Sequence, residues 1–540
     1  MPPVAIGVAL AALVAWSFWQ RWLVLSDSPF PLGVDGYFYP IQVRSLLETG
    51  SLQYPASPLT FWFMAPFGAL TDPITGAKLG AALGGALIAL PAYAVGARLA
   101  RGRGAGLLAA AIASTTASSL YLSIEFVKQG IGLTVALSTL WLALRALEVP
   151  SRRRIATALG GLVATLLTHK LAAALLVVIA VPAIVEEARA RGRLRGRRLL
   201  YLIAGAVAIA IVALVLGLAA PQRFVAPGDL ALVGSLFTSD ARWSAPALQM
   251  PRFELTFDHE AVIGLYVALL AAFVLMARTG TARHRPFKPS VIWWFVFPIP
   301  LATIKLVRWL AAAGTDGASN LPTAVVARRG HGERVAAWAI VILGIVIGLP
   351  WLAVDDPQGL AFRLRVAAFV PLALTAPIVI TALTVRMRPH TRDLAFAAAA
   401  LLVAGHMKDH AVQGRVVAHP ALVASAMAAT SKLPAGATVI VPERHILFMV
   451  AWYTRANVSL RPELVPYDQR VRLLPLAFIG MGSPLEQAID AARSTPDVAP
   501  PIGLHPRHRN GLVLVTERTW DWLMKELGPA AKSWVGWPTI

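Results

Sequence analysis

Asp35 stands in the stretch "PLGVDGYFYPIQVRSLLETGSL", only a few residues after the first long apolar run of the chain ends. A carboxylate held against apolar surface loses solvation and becomes a stronger base, suited to taking a proton from an acceptor. The residues that follow support such a placement. Tyr39, Val43, Leu46 and Leu47 fall on one face of a short helix, as in a helix lying at a membrane interface. "YPASPLTFWFMAPF" then supplies the Pro and aromatic residues of a headgroup zone. Tyr37, Tyr39 and Arg44 are the neighbours expected to position a substrate against Asp35. The plain alternative is a solvated loop carboxylate.

Four further groups carry unusual charge. Glu125 and Lys128 sit in the tip "SIEFVKQG". They form either a local helix-end ion pair or a second acid–base element, with Glu125 orienting an acceptor or sharing a divalent cation, Mg or Mn, with Asp35. His169 and Lys170 lie in the short turn "THK" between two apolar segments. That is either a snorkelling Lys beside a capping His or a contact to phosphate. Arg363 and Arg365, in "AFRLRVAAFVPLA", enter a span from the outer side, where the positive-inside rule disfavours Arg. A guanidinium matches phosphate bidentately, although Asp355 or Asp356 could pair with either Arg. Asp258, His259 and Glu260 in "TFDHEA" resemble metal ligands, but weakly, because adjacent residues on a helix point in different directions.

Several chemistries are excluded. The chain has no Cys, so thiolate catalysis, disulfides and Cys-ligated metals are ruled out. No P-loop, nucleotide-binding Gly fingerprint or "GxSxG" element stands in a credible context, so a lipid-linked substrate fits better than a soluble nucleotide.

The elements that must hold these residues are membrane helices. Of 540 residues, 57% are hydrophobic and only 14% charged, against about 25% charged in an ordinary soluble domain. Mean hydropathy is +0.64. Apolar runs of spanning length alternate with loops of two kinds. "ARLARGRG", "EVPSRRRIA", "EEARARGRLRGRR", "RTGTARHR", "RRGHGER" and "RMRPHTR" are Arg-rich and mark the inner face. The 26–72 loop, the 123–130 tip and His169–Lys170 fall on the opposite face. The formal charge of +21 therefore reflects topology rather than nucleic-acid binding. The run Val4–Leu25 is too long for a signal-peptide core and lacks a basic start, so it reads as a retained span. The stretch 289–324 reads ambiguously as spanning, re-entrant or interfacial. After Lys408 the pattern changes to strand then helix, twice, in "TVIVPERHILFMVAWYT" and "NGLVLVTERTWDWLMKEL". The expected architecture is a polytopic α-helical membrane domain, residues 1–407, of about 11–13 spans by the length rule. Its first external loop is 26–72, and a small extracytoplasmic α/β domain covers 408–540.

The near-membrane Asp, the interfacial helix ending in "LLETGSL" and the Pro-aromatic "YPASPLTFWF" together resemble the GT-C superfamily. These are polyprenyl-phosphate-sugar-dependent membrane glycosyltransferases, among them protein mannosyltransferases and the aminoarabinose transferase. The resemblance covers roughly residues 1–185, and more weakly the Arg-led span and the C-terminal domain. It implies transfer, with inversion, of a sugar from a polyprenyl-phosphate donor to a protein, lipid or polysaccharide at the outer face of the plasma (inner) membrane. Asp35 would be the base and Glu125 a second acid. Arg365, with Arg363, Lys128, His169 or Lys170, would meet the departing phosphate. Many members carry an acidic pair after the first span, whereas Asp35 is followed here by Gly36. Two other classes compete. A transporter or flippase for a lipid-linked or anionic substrate would place its ionisable residues near the midplane, between repeats. A non-catalytic scaffold would tolerate Asp35→Asn.

Overall fold

The computed structural model describes residues 2–33, 35–191, 257–278, 330–349, 360–385 and 387–406. Toward the C-terminus it describes residues 433, 436–441, 444–459, 462–475, 512–518, 520–521 and 525. The helices run α1 (Pro3–Ser26), α2 (Phe38–Thr49), α3 (Leu59–Leu70), α4 (Pro73–Ala86), α5 (Ala89–Ala100), α6 (Arg103–Thr115), α7 (Ala117–Ile124) and α8 (Val127–Glu148). They continue as α9 (Arg152–Thr168), α10 (Lys170–Ala190), α11 (Phe257–Arg278), α12 (His331–Gly348), α13 (Leu360–Val366), α14 (Phe369–Leu383) and α15 (Pro389–His406). A small α/β part follows: β1 (Thr438–Ile440), α16 (Arg444–Thr454), β2 (Asn457–Ser459), β3 (Arg470–Pro475) and β4 (Leu512–Thr516).

Among the described residues, six helical stretches are long and apolar enough to cross a membrane, or seven if α6 and α7, bent by 44° at their junction, form one span. The protein is thus a polytopic helical membrane protein. The further apolar runs near 199–219 and 289–324 lie outside the described residues. The chain divides into two compact units. The first comprises Met1–Val24, Pro55–Thr60 and Gly80–Val412; the second comprises Leu25–Tyr54, Phe61–Leu79 and Gln413–Ile540.

In the first unit α6 is buried along almost its whole length. Its sequence "RGAGLLAAAIAST" is rich in Gly, Ala, Ser and Thr, and every residue from Gly104 to Thr115 is buried. Small side chains let neighbouring backbones approach closely, which is how helices associate where no hydrophobic force separates protein from lipid. At the rim, α9 exposes Ile155, Leu159, Val163 and Leu166, a stripe of helical period, as a lipid-facing helix does. The Arg-rich loops meet one another. Arg98, at the end of α5, pairs with Glu148 at 3.2 Å and with Glu333. Glu187 accepts from the Gly332 backbone N–H at 2.7 Å and pairs with Arg191 at 2.8 Å. These residues lie at the far ends of α8 and α10 from Lys128 and Lys170, and α8 alone is about 33 Å long at 1.5 Å per residue. Contacts thus gather four of the Arg-rich loops at one end of the bundle.

The junction of α6 and α7 is a broken helix held by two buried charges. Thr116 is extended (φ −71°, ψ 154°), so the last carbonyls of α6 and the first N–H groups of α7 lose their helical partners. Glu260 of α11 accepts from Ala117 N–H at 2.6 Å and Ser118 N–H at 3.0 Å. Arg21 of α1, fully buried, donates to Ser114 O at 2.8 Å, to Ser119 Oγ at 2.7 Å, to Ser123 Oγ at 2.9 Å and to Ser17 O at 3.1 Å, and also to Ser17 Oγ. A carboxyl group accepting at the helix start and a guanidinium donating at the preceding helix end both match the peptide dipoles.

The second unit contains a four-stranded sheet in the order β2-β1-β3-β4. β1 is parallel to β2 and β3, and β4 is antiparallel to β3, with Val471 opposite Thr516. The helix α16 makes the crossover that parallel pairing of β1 with β2 requires. Arg470 and Arg472 share a face of β3 by strand alternation and converge on buried Glu517; Arg472 binds it through two bonds of 2.6 and 2.7 Å. The helix expected after Asp35 is present as α2, but its burial runs along the helix rather than around it. Phe38 to Val43 are all buried, while Leu47 is exposed.

Candidate functional site

Within the first unit, the predicted phosphate contacts gather at one end of the bundle. Lys128 opens α8, His169 links α9 to α10, Lys170 opens α10, and Arg363 lies on α13. The His169 Nδ1 atom is shielded from solvent and has no hydrogen-bond partner among the described residues. Burial, then the charges of Lys128, Arg363 and Lys170, push its pKa down to about 3. The imidazole is therefore neutral amid three cations. Gly132, one turn below Lys128, permits this closeness: a Cβ there would come within 2.7 Å of the His169 Cβ.

Arg363 is anchored by its own surroundings. Its guanidinium lies 4.8 Å from the ring centre of Phe126, and its carbonyl accepts from Gln129 Nε2 at 2.9 Å. Phe126, Tyr121 and Phe362 pack edge to face around it, with ring centres 6.0 to 6.1 Å apart. Arg363 is the arginine of α13 whose charge reaches His169. Arg365 is two residues on, about 200° around the helix at 100° per residue, and is half-buried. Glu125 caps the end of α7, where its N–H bonds Tyr121 O at 2.9 Å. Five residues further into α8 and α10, about 7.5 Å below the lysines, Leu133 and Leu175 begin a cavity lined only by apolar side chains, including Leu137, Ile179 and Val370.

Within the second unit, Asp35 lies in the turn that starts α2. It is half-buried, its Oδ1 shielded from solvent. Its carbonyl accepts from Phe38 N–H at 3.0 Å, which ties the turn of Asp35 to the first residue of α2. Gly36 is required by sterics, because a Cβ there would stand 2.5 Å from the Leu32 carbonyl oxygen. This turn therefore has no room for a second acidic side chain beside Asp35. Tyr37 is buried and its hydroxyl lies 3.0 Å from that of Tyr453; burial, then this bond, push its pKa up. Tyr39 is buried among rings, edge-on to Phe38 at 5.6 Å. Arg44 donates to Trp452 O at 3.0 Å and stacks 4.3 Å above the Trp452 ring.

Of the metal-like trio, Asp258 and His259 open α11, with side chains outside those described. Both oxygens of Glu260 hold the start of α7, a capping duty rather than an open ligand position. Among the described residues no three His, Asp or Glu side chains gather as metal ligands do. Sequence reasoning missed Arg21, although a lone Arg inside an apolar run, opposite the serine-rich "STTASS", was a readable sign of a buried polar contact. It also missed Trp452 and Tyr453, for which no local signal exists.

Residues 55–217 match the family model of the dolichyl-phosphate-mannose-protein mannosyltransferases. The matched segment contains Glu125, Lys128, His169 and Lys170; Asp35 and Arg363 lie outside it. Among solved structures, the apo crystal structure of ArnT from Cupriavidus metallidurans is 16% identical, with a TM-score of 0.40 over 96% of this chain and 98% of that one. No curated protein matches the chain.

Proposed function

We propose that the protein is an integral membrane glycosyltransferase that moves a sugar from a polyprenyl-phosphate donor to an acceptor at the extracytoplasmic face of the plasma membrane. The observation that carries this reading is the gathering of Lys128, His169, Lys170 and Arg363 at one end of a membrane bundle, above a wholly apolar cavity. A cationic cluster at the edge of an apolar bundle suits a phosphate carried on an isoprenoid chain. The match of residues 55–217 to a mannosyltransferase family supports the reaction class.

In the reaction, the acceptor oxygen forms a bond to the anomeric carbon while the bond from that carbon to the phosphate oxygen breaks. The departing oxygen keeps the electron pair, and the acceptor proton passes to Asp35. Displacement from the opposite side inverts the anomeric centre. Phosphate is already a good leaving group, so cations can replace the acid that a glycosidase needs. Arg363, with Lys128, Lys170 and Arg365, meets the developing negative charge. Neutral His169 can donate or accept a hydrogen bond there without adding to the repulsion among its neighbours. Glu125 orients the acceptor. The leaving charge is met by side chains.

The test is release of polyprenyl phosphate by purified protein given a polyprenyl-phosphate sugar. Asp35→Asn should abolish release while leaving donor binding intact. Wild-type release by Asp35→Asn would remove Asp35 from the role of base. Translocation of the donor across vesicles without cleavage would favour a flippase.

A further inference from the structure

The second unit ties the turn of Asp35 to the C-terminal α/β fold through a pair of adjacent aromatics, Trp452 and Tyr453 on α16. Asp35 is coupled to α2 through the turn that leads into it: its carbonyl accepts from the N–H of Phe38, the first residue of the helix, at 3.0 Å. α2 in turn is gripped from α16 at several points. The Tyr37 and Tyr453 hydroxyls are 3.0 Å apart, with their rings edge to face at 5.6 Å. Seven residues along, two turns and hence the same face, Arg44 both hydrogen-bonds the Trp452 carbonyl and stacks on its ring. Between them Phe38 packs on Phe448, ring centres 5.0 Å apart. An exposed pair, Arg455 with Glu48 at 3.2 Å, closes the outer end. The Tyr37 hydroxyl and one guanidinium nitrogen of Arg44 thus each have a partner about 400 positions later in the chain.

We infer that Trp452 and Tyr453 are positioning residues for Asp35, so that the C-terminal α/β fold sets the geometry of the carboxylate through α2. The inference rests on the catalytic reading of Asp35 given above. Its physical basis is that a short helix of 12 residues has little stability of its own. Its orientation must come from tertiary contacts, and proton transfer is sensitive to displacements of about 1 Å.

The experiment uses full-length protein in nanodiscs, with Tyr453→Phe as the conservative variant and Trp452→Leu as the larger one. Amide hydrogen exchange is followed over residues 38–49, with α8 as the internal reference. Trp452→Leu should speed exchange in α2 about tenfold or more while leaving α8 unchanged. With a polyprenyl-phosphate sugar as donor, both variants should lower kcat, Trp452→Leu by about tenfold, with the donor KM within about twofold of wild type. Unchanged exchange in α2 would show that α16 does not hold it. Loosened α2 with unchanged kcat would show that the grip does not position Asp35. If instead Asp35→Asn is as active as wild type, the catalytic reading fails, and the exchange measurement still decides whether α16 orders this turn.

Discussion

Two sets of cations in the first unit differ in how their surroundings treat them. Arg21 is wholly buried and surrounded by neutral oxygens: three serine hydroxyls and two carbonyls accept its N–H groups. Arg363, Lys128 and Lys170 instead lie together around a neutral His169, each adding to the potential of the others. The first arrangement satisfies a charge by spreading hydrogen bonds over it, and so it joins α1 to the α6–α7 break. The second places cations from three helices near one imidazole at the same end of the bundle. A cation in a membrane protein is thus informative only once its surroundings are known: the oxygens around Arg21 make it a structural joint, whereas the proposed function assigns the cluster at His169 to a phosphate.

That contrast can be broken by mutation. Arg363→Ala should reduce sugar transfer by about 10²–10³-fold, the scale of losing one group that stabilises developing charge. Its thermal midpoint should stay close to wild type. A matching loss of midpoint in differential scanning fluorimetry would make Arg363 structural instead. Arg21→Ala should do the reverse, costing about 2–4 kcal/mol by leaving a cavity and unpaired carbonyl and hydroxyl groups. An Arg21→Ala protein as heat-stable as wild type would end the distinction drawn here. Glu260→Gln keeps the shape but exchanges one acceptor oxygen for an amide, so it should cost about 1 kcal/mol, the scale of a helix cap. A neutral result would mean that the α6–α7 break needs no anion.

A further expectation concerns pH. The folded pKa of His169, about 3, lies below the ordinary 6.5. Between those values the unfolded chain binds a proton that the folded protein refuses, so stability rises with pH across that window and falls on acidification. His169→Gln should flatten this part of the stability–pH curve. An unchanged slope would mean that the imidazole is not held neutral by burial and its cationic neighbours.

Much of this was legible in the sequence because membranes impose a strict code. Spanning length, apolarity and Arg-rich loops are one-dimensional properties, and their alternation put Glu125, Lys128, His169, Lys170 and the Arg363–Arg365 pair on one side before any contact was known. The structure brings four of them together at His169. The same code is blind to direction around a helix. It could not choose between Arg363 and Arg365, since a difference of two residues on α13 becomes about 200° in space. It could not tell that Glu260 caps α7 rather than joining Asp258 and His259, because the N–H groups that Glu260 accepts belong to residues more than 140 positions earlier.

What the sequence alone determined is therefore the polytopic helical architecture, the strand-then-helix character of the C-terminal part and the segregation of charge by face. Each follows from local composition acting against a fixed environment, lipid or water. Tertiary structure decided which charges are saturated and which accumulate, why Gly36 excludes a second acid beside Asp35, and that α2 is held by Trp452 and Tyr453. Those outcomes depend on distances between residues far apart in the chain, and no local pattern encodes such distances.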